Sequence, residues 1–300
     1  MSSKENKMLL IGDNPFHGIS HLSQERARDR ISDNELPSSE YAANIVISSL
    51  ENGANGFMFS VSETTLSILR KIHDMRCMRL KLYAIIPYAF EYVRLATQIG
   101  IHGLATRFVK NLVVSRNIEA IALGLKGIVR ADPLALLKTF LTYEVSRIKS
   151  ANKQSDIVSI LLHEVITDMA LALNLDWLLK SYWEFITDLG IKPGFNTRNF
   201  PYLVKKFSEW NIDLSKTIIA TPFNKVGFQM NPSQTECEKT LKNLPESNII
   251  AISILAAGYL SPSEALDYIQ TLSELKGVVV GISKEQHALT TFRVFENLFH

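Results

Sequence analysis

The chain has 300 residues, 46% of them hydrophobic and 21% charged, which supports a sizeable core and excludes a disordered or fibrous protein. Thirty-two Lys and Arg against thirty Asp and Glu leave a formal charge of +2, too little for a nucleic-acid or anionic-membrane surface. Cys77 and Cys237 lack metal spacing, and no apolar run reaches the roughly 18 residues of a membrane span. Reduced thiols, a cytoplasmic location and a small-molecule partner are the expectation, with no nucleic acid, membrane or metal.

In chain order, the first strand expected is Met8–Gly12, followed by Gly56–Val61 and Lys81–Pro87. The interval from Tyr88 to Asp156 is too long for one crossover helix, so 88–156 reads as a helical insertion within a single domain spanning 1–300. Asp132-Pro133 opens a helix there, and Leu134, Leu137, Phe140, Leu141, Val145 and Ile148 recur at helical spacing. That stripe would pack on the rest of the fold, cover its functional end or meet a second copy in a homo-oligomer. Five more strands are expected at Ile157–His163, Lys192–Asn196, Thr217–Thr221, Asn248–Ile254 and Gly277–Ile282. Helix starts are marked by Ser233-Gln234-Thr235-Glu236, Ser261-Pro262-Ser263-Glu264 and Ser283-Lys284-Glu285-Gln286, each a capping-box pattern. Eight continuously apolar runs alternating with helices predict an α/β fold, a (β/α)8 TIM barrel.

Barrels of this kind carry chemistry at the C-terminal ends of their strands. Asp13 and His17 follow the first strand in a loop bent by Pro15 and Gly18; the carboxylate would orient the imidazole, or the aspartate would cap its own turn. His163 ends the fourth apolar run, either as an acid/base group at the mouth or as a hydrogen-bonded core histidine. Glu164 next to it should face the other way if the strand continues, to cap the next element or pair with a helix. Asn196, Arg198 and Asn199 follow the fifth strand, and Asn224 and Lys225 the sixth. Arg198, a planar donor, suits a carboxylate or phosphate. His17 and His21 have helical metal spacing, but Pro15 and Gly18 argue for a loop. G-x-S-x-G, P-loop and G-x-G-x-x-G patterns are absent, which excludes the classes that need them.

Leu162-His163, Gly194-Phe195-Asn196-Thr197-Arg198-Asn199-Phe200, Ile254-Leu255-Ala256-Ala257-Gly258 and Val279-Val280-Gly281-Ile282-Ser283 resemble, in order, segments of the aldo-keto reductase superfamily. The resemblance spans Ile157 to Phe295 and implies a barrel, with NADPH as the cofactor it brings. Of the family's catalytic set only His163 matches: Phe59 to Glu63 and Ile85 to Tyr88 stand where an aspartate, a tyrosine and a lysine are expected. Tyr88 would have to replace the tyrosine and Lys225 the lysine.

The leading expectation is an acid/base enzyme acting on a small polar, anionic metabolite. His163, His17 and Asp13 would transfer protons, and Asn196, Arg198, Asn199, Asn224, Lys225 and Tyr88 would hold substrate. The alternatives are an NADPH-dependent reductase with a rearranged proton donor and a non-catalytic binding barrel. An anion or cofactor phosphate is expected at Gly258, Ser283 and Lys284, where two helices begin; an ordinary solvated lysine is the competing reading of Lys284.

Overall fold

The computed structural model describes residues 7–17, 37–76, 78–87, 133–244 and 247–296. Eight parallel strands close into a barrel in sequence order, with β8 pairing back onto β1. They are β1 (Met8–Gly12), β2 (Gly56–Ser60), β3 (Lys81–Ile86), β4 (Asp156–Leu162), β5 (Lys192–Asn196), β6 (Ile218–Pro222), β7 (Asn248–Ile252) and β8 (Gly277–Gly281). All eight lie within one or two residues of the expected runs. The helices described are α1 (Ser39–Glu51), α2 (Glu63–Arg76), α3 (Pro133–Ala151), α4 (Glu164–Ala172), α5 (Asp176–Asp188), α6 (Phe200–Glu209), α7 (Gln234–Lys242), α8 (Pro262–Gln270) and α9 (Glu285–Glu296).

Alternation along the strands divides the apolar residues between two cores. Leu10, Met58, Tyr83, Ile85, Leu161, Ile218, Ala220 and Ile250 fill the barrel interior. The residues between them, Leu9, Ile11, Phe57, Phe59, Ile160, Phe195 and Ile219 among them, pack outward against the helices. Tyr182 from α5 sits 5.2 Å from the Phe195 ring and donates from its hydroxyl to the Ile160 carbonyl at 2.7 Å. Helix packing and a strand's spare acceptor are thus satisfied by one side chain.

The expected insertion is described only in its second half. Its portion 88–132 lies outside the described residues. The remaining helix, α3, packs beside α2 and α5 on the barrel wall and buries Leu141, Val145 and Ile148. That is the position of an ordinary crossover helix between β3 and β4. No helix among the described residues is long and apolar enough to cross a membrane.

Candidate functional site

Asp13 is the first residue beyond β1, and two small residues set its position. A Cβ on Gly12 would lie 2.9 Å from Val279 Cγ1, and one on Gly281 would meet the Pro15 ring at 3.3 Å. The absence of both side chains lets the loop fold over the junction of β1 and β8. Asp13 is 4% exposed. Its Oδ2 accepts the Ser60 backbone N–H at 2.7 Å and the His17 Nε2–H at 3.0 Å. A 310 turn, Asn14–His17, brings the histidine back over the aspartate.

His163 lies one residue past β4, at the N-cap of α4, and is 6% exposed. Its Nδ1 accepts the Val165 N–H at 3.2 Å, so the proton of the neutral ring sits on Nε2. Burial lowers its pKa. Glu164, Asp13 and Asp168 pull the value up and Arg198 pushes it down, with burial the largest effect. The ring is therefore held neutral, and the charge of Asp13 reaches it as well as His17.

The strand ends at Leu162, so Glu164 starts a helix instead of continuing the alternation. It pairs with the loop after β5: Arg198 Nη2 and Nε approach Glu164 Oε1 at 2.7 and 3.1 Å, and Asn196 Nδ2 donates to Oε2 at 2.7 Å. One turn along α4, Asp168 accepts the Thr197 hydroxyl and the Arg198 N–H. Burial raises the Asp168 carboxyl while these two donors, the hydroxyl above all, lower it. Asp168 and Ser60 join the site without being expected from the sequence, and Thr197, in the polar stretch expected after β5, joins them. The four-residue spacing of Glu164 and Asp168 puts both on one helical face and was the available signal.

Other expected residues serve different ends. Asn224 is buried and folds its own loop, donating from Nδ2 to the Phe228 carbonyl and accepting the Phe228 N–H. Both ends of its amide are engaged within the loop, which gives the side chain a structural task there. Lys225 is exposed, and its charge is felt by Glu264 at the start of α8. Asn199 precedes α6 without a side-chain cap bond, and its N–H donates to Thr197 Oγ1. Gly18, His21 and Tyr88 lie outside the described residues.

At the expected anion site the local hydrogen bonds are already closed. The Gly258 N–H is given to the Leu255 carbonyl at 2.9 Å. Ser261 and Glu264 close a complete capping box on each other. α9 starts at Glu285, so Ser283 is not its cap; Ser283 and Lys284 are exposed, and acids occupy the first turns of both α8 and α9. Those acids already answer the helix dipoles and would repel a phosphate. An anionic substrate fares no better over β4 and β5, because Arg198 is paired with Glu164 while Asp13 and Asp168 add further carboxylates.

No family model matches the chain, and no curated protein matches it. Solved structures do. A candidate aldo-keto reductase from Pseudomonas aeruginosa superposes with a TM-score of 0.59 at 9% identity, over 98% of this chain and 91% of that one. A glycerol dehydrogenase from Gluconobacter oxydans gives 0.55 at 9% identity, over 100% and 91%. The nicotinamide cofactor that this fold implies fits poorly, because the local bonds of the phosphate corner are closed and Glu264 and Glu285 occupy the first turns of its two helices. The chain has the barrel fold of the aldo-keto reductases.

Proposed function

We propose that the protein is an enzyme that moves protons on a small polar molecule held at the C-terminal mouth of the barrel. The observation that carries this reading is the buried Asp13–His17 pair beside a histidine held neutral, His163. In the His17 ring, donation from Nε2 to Asp13 leaves Nδ1 as the lone-pair nitrogen of the neutral form. That is the base end of a carboxylate-oriented imidazole, and the ionised aspartate stabilises the imidazolium that forms when a proton is taken. His163 carries its proton on Nε2 and supplies the complementary donor. His17 takes the proton and, as the imidazolium, returns it, while the neutral His163 ring donates a hydrogen bond to the negative charge that develops on the substrate. Glu164, Arg198 and Asn196 hold one another in place and frame the adjoining wall, with Asn199 at its edge.

The test is incubation of the protein with a panel of small hydroxy, oxo and amino compounds in D2O, with and without NADPH, read by NMR for deuterium incorporation or conversion. Incorporation or conversion without NADPH is expected, reduced about 100-fold or more by His17→Asn and by His163→Leu. Turnover that both variants retain would overturn the assignment, and turnover that appears only with NADPH would make the protein a reductase.

A further inference from the structure

Asn196 is the last residue of β5 and lies on its inward-facing register. Gly194, two residues earlier, faces the interior so closely that a Cβ there would fall 2.6 Å from Leu161 Cγ. At 5% exposed, Asn196 is almost wholly buried at the mouth. The direction of its amide is fixed by chemistry, since Glu164 Oε2 can only accept and so must face Nδ2. Oδ1 consequently points away from Glu164, and it is buried without a hydrogen-bond partner among the described residues. A buried acceptor left unmet costs about 1–3 kcal/mol. What completes it is a donor.

The surrounding charge narrows the kind of donor. Arg198 places both guanidinium bonds on Glu164, and the two charges largely cancel. Asp13 and Asp168 are held by N–H and O–H groups and by His17, with no Lys or Arg side chain bonded to either among the described residues. The charges of Glu164, Asp13 and Asp168 reach His163, as does that of Arg198. Coulomb attraction at a partly dehydrated mouth is several times stronger than in bulk water, so this imbalance selects by charge.

We propose that the mouth binds a small protonated amine, with an ammonium N–H donated to Asn196 Oδ1 and the positive charge balanced by Asp168 and Asp13. The proposal deepens the proton-transfer reading above by naming its substrate class, and it is tested by binding alone. Failure here would leave that reading standing on its own experiment.

Three probes of similar size separate the chemistries: 2-aminoethanol, ethane-1,2-diol and glycolate, titrated into the full chain at neutral pH and followed by NMR. The amine is expected to bind about tenfold or more tightly than the diol, as a charge-assisted hydrogen bond warrants, with glycolate weakest. Asn196→Leu should remove about tenfold of the amine affinity. Asp168→Asn keeps Oδ1 as the acceptor for the Arg198 N–H and turns an amide N–H toward the Thr197 hydroxyl, which can accept it, so it limits any folding defect, and it should weaken the amine while leaving the diol unchanged. Equal binding of amine and diol, preference for glycolate, absence of amine binding, or amine affinity untouched by both substitutions would each overturn the proposal.

Discussion

Over β4 and β5 the polar side chains bond from one loop to the next: Glu164 and Asp168 on α4 hold Asn196, Thr197 and Arg198, which lie 29 to 34 residues further along the chain. Over β7 the loop closes on itself, Ser261 with Glu264 three residues away and Gly258 with Leu255. Local bonds of the second kind stabilise a helix end and ask nothing of the rest of the barrel. Bonds of the first kind fix two loops against each other and leave their remaining polar atoms aimed at a common space, the preorganisation that a binding site requires.

The contrast can be broken most forcefully at Asp168. Asp168→Ala strips two donors of their acceptor, one of them the hydroxyl of the fully buried Thr197, and is expected to cost about 1–3 kcal/mol in chemical denaturation. A loss below about 0.5 kcal/mol would show that the two loops stand independently. Ser261→Ala should cost about 1 kcal/mol, as for other N-cap serines, and should leave ligand binding at the mouth unaltered. A double-mutant cycle with Glu164→Ala and Arg198→Ala should give a coupling of about 0.5–1 kcal/mol, because Arg198 is 39% exposed and water screens the pair. Coupling near zero would reduce the cross-loop pair to a surface contact.

Acid sharpens the same contrast. Because burial holds the His163 pKa below that of an unfolded histidine, the unfolded chain takes up a proton first as the pH falls below about 6.5. The contribution of His163 to stability is therefore complete above the unfolded value and is lost as pH falls from there toward the folded value. Urea midpoints measured between pH 7.5 and 5 should fall more steeply for the native chain than for His163→Leu; parallel curves would place the ring in ordinary solvent. The smallest effect belongs to Lys284→Ala, within about 0.5 kcal/mol of the native chain as for any solvated surface residue, with no change in thermal protection by phosphate.

The barrel was legible because its strands, covered on both faces, are continuous apolar runs such as TIIAT and IIAIS, bounded by capping residues. The candidate site draws on positions where residue type and strand end coincide: Asp13, His17, His163, Asn196, Thr197 and Arg198. Asp168 was hidden because its pairing depends on which face of α4 docks over β5. Ser60 was hidden because it contributes a backbone N–H, which no residue type announces. In the interval after β3, helical periodicity states that one face is buried and not what buries it; of the three coverings expected for that stripe, α3 shows packing on the barrel wall.

Asp13 has a consequence for anyone dissecting this protein by mutation. The oxygen that accepts from His17 also accepts the last N–H of β2, so a single atom serves as a rivet in the wall and as the rest on which the imidazole sits. A chain lacking that carboxylate would lose activity and wall together, and its failure would say nothing about chemistry. Knockouts meant to report on proton transfer belong at His17, where the rivet stays in place.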